Sequence, residues 1–398
     1  MSRPPRREPS ATTQVDRSVA RPWQQRASPL ARYAFFAYTL LVIDASLYPF
    51  SGWRDLGLAP FAYLHAPWPR RALGFDVFVN VIGYLPLGIV TGLALYPRLT
   101  GFVLVAVSSL YCGALSAALE ALQSFLPTRV ASTIDLLTNL AGAIIGSVIA
   151  AQLAGPVLDR GRLREWRLRW FDAHASRGLV LVALWFGALV YPEQFALGSG
   201  ALPRLFDAAL PEEFGRAFAL EFDAAAFRDA ESVVSALALC GAGLLFANLL
   251  RRELGAGTRL LLVIAFIALT ATMKILMGAV IHEDQTILAW LSIGARRGFA
   301  VGAVVLIAAL LLPAWMRAAL GFAAIAGAVA LVNVLPENPY VVTLGAAWTR
   351  GRLLNFFGLA QGLNLVWPFL ALAYFLRHPG TSLRPARARK RRLARPPL

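Results

Sequence analysis

The chain reads as an all-α membrane protein: a polytopic helical bundle of about ten transmembrane helices, with its N- and C-termini in the cytoplasm. Three observations predict this. Of 398 residues, 58% are hydrophobic and only 15% charged, whereas a soluble domain carries about a quarter charged residues. Apolar runs long enough to cross a hydrocarbon core of about 30 Å recur along the sequence. The basic residues also alternate between connections. With the N-terminus inside, 26 of the 38 Lys and Arg fall in cytoplasmic segments and 11 in outer ones, the bias that sets orientation in a bilayer.

Residues 1–30 are Arg-, Pro- and Ser-rich without an apolar core, so they form a disordered basic tail and not a cleavable signal peptide. The first apolar run then serves as an uncleaved anchor. The spans are 31–50, 76–96, 101–122, 133–153, 178–195, 231–250, 259–280, 298–314, 317–335 and 356–376. They divide into a four-helix transmembrane module at 31–155 and a second module of about six helices at 178–376. Between them, 156–177 is a basic cytoplasmic linker. Its stretch RGRLREWRLRW is either an amphipathic helix on the cytoplasmic leaflet or a plain charged connection. Residues 201–230 form an outer amphipathic segment in which Phe214, Phe218 and Phe222 recur every four residues. Residues 377–398 are a second disordered basic tail.

A net charge of +16 in a soluble chain would suggest nucleic acid. Here the basic residues lie in tails and loops, so they act as topology signals and contacts to membrane lipids, and no nucleic acid partner is expected. Cys112 and Cys240 lie inside spans and offer no disulfide framework; His65, His174, His282 and His378 have no metal-ligand spacing. There is no GxSxG, HExxH or Walker loop. No cofactor, no metal and no catalytic residue is therefore assigned.

The chemistry sits between Asp76 and Gly146. Three spans carry three polar pairs on single helix faces: Asp76 with Asn80, Glu120 with Gln123, and Asp135 with Asn139. Carboxylates are expensive in a bilayer and mark a site. The span directions place all six, with Arg129, at one depth near the outer leaflet. Arg129 is expected to pair with the carboxylates around it. The alternative is structural glue that holds spans two to four together, with Asp135 only a helix start. Pro86 should kink span two beside Gly88, and Gly142 with Gly146 makes a small-xxx-small face for close packing. Asp44 and Lys274 lie at similar depth and could pair, joining the two modules. His282 to Gln285 are either an outer loop or an extension of the site.

The D-x3-N-x5-P-x-G of span two, the E-x2-Q before a loop Arg, and the D-x3-N-x2-G-x3-G of span four resemble the VanZ-like family of bacterial membrane proteins, over about residues 31–155. The positions that carry the resemblance are Asp76, Asn80, Pro86, Gly88, Glu120, Gln123, Arg129, Asp135, Asn139 and Gly142. Tyr84-Leu85 stands where the family commonly has phenylalanine. The resemblance implies a four-span domain in the bacterial inner membrane, associated through its naming member with resistance to glycopeptides such as teicoplanin. Six further spans go beyond that member. Three functions are expected in turn: a non-enzymatic envelope protein whose cluster binds a lipid-linked cell-wall precursor or glycopeptide-type ligand; a transporter or flippase of such a lipid; or an enzyme acting on a lipid phosphate.

Overall fold

Among the described residues, the computed structural model has eleven α-helices and one 3₁₀ turn. It describes residues 28–48, 50, 52–55, 57, 59–65, 74–127, 129–155, 162–190, 195, 197–202, 224–281, 292–335 and 354–379. The helices are α1 (Pro29–Leu47), α2 (Gly74–Leu95), α3 (Gly101–Gln123), α4 (Thr133–Ala154), α5 (Arg162–Trp170) and α6 (Ser176–Ala188) in the first half. They continue as α7 (Ala224–Leu249), α8 (Ala256–Ile281), α9 (Ile293–Ala309), α10 (Ala314–Val334) and α11 (Leu354–Arg377). Among the described residues there is no strand, only an isolated bridge between Phe171 and Leu250.

Eight of these helices are long and apolar enough to cross a membrane. The other two expected spans, 178–195 and 298–314, correspond to α6 with 13 residues and α9 with 17. Both are shorter than the roughly 20 residues of a straight crossing. Of the Arg-Trp stretch 160–170, residues Arg162–Trp170 form α5. Residues 1–27, most of 201–230, 282–291 and 380–398 lie outside the described residues, and so do the tails and the phenylalanine segment expected there.

Local chemistry starts several helices. Ser28 caps α1, its side chain accepting from the Ala31 N–H at 3.4 Å, with Pro29 next in the chain, where a missing N–H costs nothing. Ser132 caps α4 through the Ile134 N–H, and Ser292 caps α9 through the Ala295 N–H. Two prolines sit inside helices and free a carbonyl four residues back. For Pro368 in α11 that carbonyl is Asn364, and the Gly200 N–H takes it at 3.1 Å. Asn364 Nδ2 in turn donates to the Gly198 carbonyl, and Asn333 of α10 donates to the Gly200 carbonyl. The non-helical, buried stretch Leu197–Gly200 is thus clamped between α10 and α11, as backbone buried among apolar helices must be.

Packing is densest where small residues let backbones meet. α2 and α4 lie side by side, and so do α7 and α9. A Cβ added at Gly142 or Gly146 would overlap the carbonyl oxygens of Val81 and Leu85, and one at Gly88 that of Ala143. Large apolar side chains remain on the outside, such as Phe102 at 85% exposure and Leu311 at 92%, as suits a surface solvated by lipid. α1 joins the halves: it packs on α2 and α3, and also on α6 and α11.

Candidate functional site

The start of α2, the end of α3, the start of α4 and the end of α1 gather at one end of the bundle. Two groups of polar side chains form there, not one.

The first group is internal. α3 presents Ser108, Cys112, Ser116 and Glu120 at four-residue spacing, all buried, so they form one stripe along the helix. α4 answers with Asn139, whose Nδ2 donates to Ser116 Oγ at 3.0 Å, and with Ser147, whose Oγ bonds Ser108 Oγ at 2.9 Å. From α2, Thr91 lies against Cys112, and the Tyr84 hydroxyl ends beside Ser116 and Glu120. Glu120 is only 5% exposed and accepts the Ser132 N–H at 2.8 Å. A buried carboxylate thus takes a backbone donor at the very residue that caps α4, where N–H groups lack helical partners. Asp135, one turn on, accepts Asn80 Nδ2 at 2.8 Å and so ties α4 to α2. Asp76 belongs to α2, but its side chain lies outside the described residues. Pro86 sits inside the continuous α2, and the neighbouring Gly83 carbonyl receives the Tyr38 hydroxyl at 2.9 Å.

The second group lies where α1 ends. Among the described residues Arg129 pairs with no carboxylate, neither Glu120 nor Asp135. Its Nη2 donates to the Tyr48 backbone carbonyl at 2.7 Å, one of the unsatisfied carbonyls at a helix C-terminus. The short turn after α3 aims the side chain across the bundle end toward α1, and burial lowers the guanidinium pKa. Gln123 turns the same way, donating to the Ser46 carbonyl at 2.8 Å. The Tyr48 hydroxyl donates to Gln361 Oε1 of α11 at 2.6 Å.

Asp44 does not pair with Lys274. α11, not α8, packs on this face of α1, so the Asp44 carboxylate meets Gly362, where a Cβ would press on both its oxygens. Its Oδ2 is sealed from solvent without a hydrogen-bond partner. Lys274 is buried in α8 and is engaged elsewhere. An unpaired acid among helices is costly. Asp44→Asn is therefore expected to raise the thermal midpoint in detergent by about 2–4 °C; a lower midpoint would show that the carboxylate has a partner.

Glu120 is singled out from the sequence, but the stripe of Ser108, Cys112 and Ser116 that leads to it, readable at its four-residue spacing, is not. Asn333, Gln361 and Asn364 read from the sequence as polar residues near the outer side, but nothing local to them gives the partners they take. Among the described residues, no group of three His, Cys, Asp or Glu could hold a metal ion.

Apolar helices with a buried polar stripe and charged groups at one end define the class: a multi-pass helical membrane protein. Within it, residues 18–154 match the family model described as VanZ/LLP1. The first four-helix module is thus a VanZ-family domain. No curated protein and no solved structure matches the chain.

Proposed function

We propose that the Arg129 end faces the outside of a bacterial inner membrane and binds a ligand carrying both signs of charge. A lipid-linked cell-wall precursor and a glycopeptide both fit that description. One observation carries the reading: Arg129 bonds the carbonyl of Tyr48, one turn beyond Asp44 in the chain, and among the described residues neither Asp44 nor Arg129 has an ionic partner. Arg129 places one of its five N–H donors on Tyr48. The others remain for a phosphate or carboxylate, while Asp44 can take an ammonium or hydroxyl. Glu120, Asp135, Asn80 and Asn139 serve as the scaffold beneath. The orientation is supported by the charge distribution, since Arg167, Arg169, Arg177, Arg251, Arg252, Arg259 and Arg317 all lie at the opposite end or its connections.

Binding of teicoplanin and of a synthetic lipid-linked pentapeptide to the purified chain tests this. Arg129→Ala is expected to weaken one or both by about tenfold, the loss of a charge-assisted bond. Unchanged affinity for both probes in a folded variant would end the proposal.

A second reading, a transporter or flippase, is favoured by the position of Asp44 between the two modules, against Gly362. Cysteines placed near Asp44 would then label from both faces of the membrane; labelling from one face only argues against it.

A further inference from the structure

The opposite end of the bundle holds a cluster that neither the VanZ module nor the proposed site uses. Arg317 lies in the first turn of α10 and Arg259 in the first turn of α8. Arg252 is on the connection between α7 and α8. The charges of Arg252 and Arg259 bear directly on Arg317. A guanidinium in a first helical turn opposes the helix dipole, which favours an anion there. Two such turns with like-charged neighbours are therefore electrostatically incomplete.

Ordinary basic residues at a membrane's cytoplasmic face are solvated. Arg317 is only 7% exposed. It reaches Asn248 Oδ1 at 3.3 Å and the Leu310 carbonyl at 3.4 Å, both long contacts, and leaves its second terminal nitrogen unused. Arg259 spends Nη2 on the Arg251, Arg252 and Leu254 carbonyls, while its Nε is buried without a partner. Asn248 Nδ2 is likewise buried without an acceptor. Its orientation is fixed by Arg317, which can only donate. Among the described residues no carboxylate pairs with Arg259 or Arg317: the nearby Glu253 is exposed and bonded to Arg251, whose Nη1 is held by the Leu168 carbonyl. Two buried donors, Arg259 Nε and Asn248 Nδ2, thus lie unmet beside the Arg317 guanidinium. Buried donors of this kind call for an acceptor.

We infer that Arg252, Arg259, Arg317 and Asn248 form a binding site for a phosphate-bearing anion at the junction of α7, α8 and α10. An anionic phospholipid headgroup and a free phosphate share this chemistry. The planar guanidinium fork suits it.

The test uses the full chain in a neutral detergent, titrated separately with phosphatidylglycerol, phosphatidylcholine and inorganic phosphate, with binding read by native mass spectrometry or thermal shift. Saturable binding of phosphatidylglycerol but not phosphatidylcholine supports a lipid source; binding of inorganic phosphate supports a soluble one. In either case R252Q and R259Q are each expected to weaken binding about tenfold. R98Q removes an exposed arginine at the same end and is expected to leave binding unchanged. R317Q removes a buried residue that bonds Asn248 and the Leu310 carbonyl within the fold, so the exposed R252Q carries the decision. Equal losses in R98Q and R252Q, or no arginine-dependent binding of any probe, overturn the site in favour of a diffuse basic field.

Discussion

Gly146→Leu should abolish the folded bundle. A side chain at Gly146 would run into the Leu85 carbonyl and the backbone of Ile89, not into a movable side chain. α2 and α4 share the longest interface of the VanZ domain, and close approach is what holds helices together once lipid has removed the hydrophobic drive. Extra carbons forced into a packed core cost about 1–3 kcal/mol. Here the obstacle is backbone, so the helices must separate and the whole interface is lost. Gly146→Ala is the milder form and is expected to cost about 3 kcal/mol at the top of that range. The measurement is the folded fraction recovered in detergent, by size exclusion and thermal midpoint. Gly155→Ala is the control, because a Cβ there meets nothing within 4 Å. Should Gly146→Leu and Gly155→Ala behave alike, α2 and α4 do not pack as described.

Glu120→Ala should be the most damaging change among the polar residues, at about 3 kcal/mol. It removes the acceptor of the Ser132 N–H and leaves that donor unmet at the buried start of α4. Glu120→Gln keeps an oxygen in place and should cost about 1 kcal/mol. The pair is informative because a ligand contact would give the reverse ranking in binding: Gln would lose affinity without losing stability. Hydrogen exchange at the start of α4 supplies the local readout, with faster exchange at Ser132 to Leu136 expected for Ala and not for Gln. Equal exchange in both variants would remove Glu120 from its role as the anchor of α4.

The spans were legible because a crossing helix needs a run of apolar residues whose length the bilayer sets, and that run is a local property. Gly142 and Gly146 were legible for a similar reason: their four-residue spacing puts them on one face whatever they meet. Arg129 was legible as a polar residue at the right level but not in its choice of partner. Its long side chain reaches from a short turn to several helix ends, and Glu120, beside it in depth, was already taken by the Ser132 N–H. The Tyr48 carbonyl was left needing a donor. The partner of Asp44 failed as a sequence inference because depth alone was known. Two residues at one depth meet only if their helices are neighbours, and α11 occupies the place beside α1.

By itself the sequence determined that this protein crosses a membrane many times, that its first module is VanZ-like, and that its polar residues gather at one level. Those follow from composition, spacing and length along the chain. The tertiary structure alone decided that the level holds two groups, a sealed scaffold around Glu120 and an unpaired acid and guanidinium at the end of α1. It also decided that two buried donors at the opposite end, Arg259 Nε and Asn248 Nδ2, lack an acceptor. The order of helices around the bundle and the turn of each about its own axis settle which side chains meet, and neither is written in any single helix.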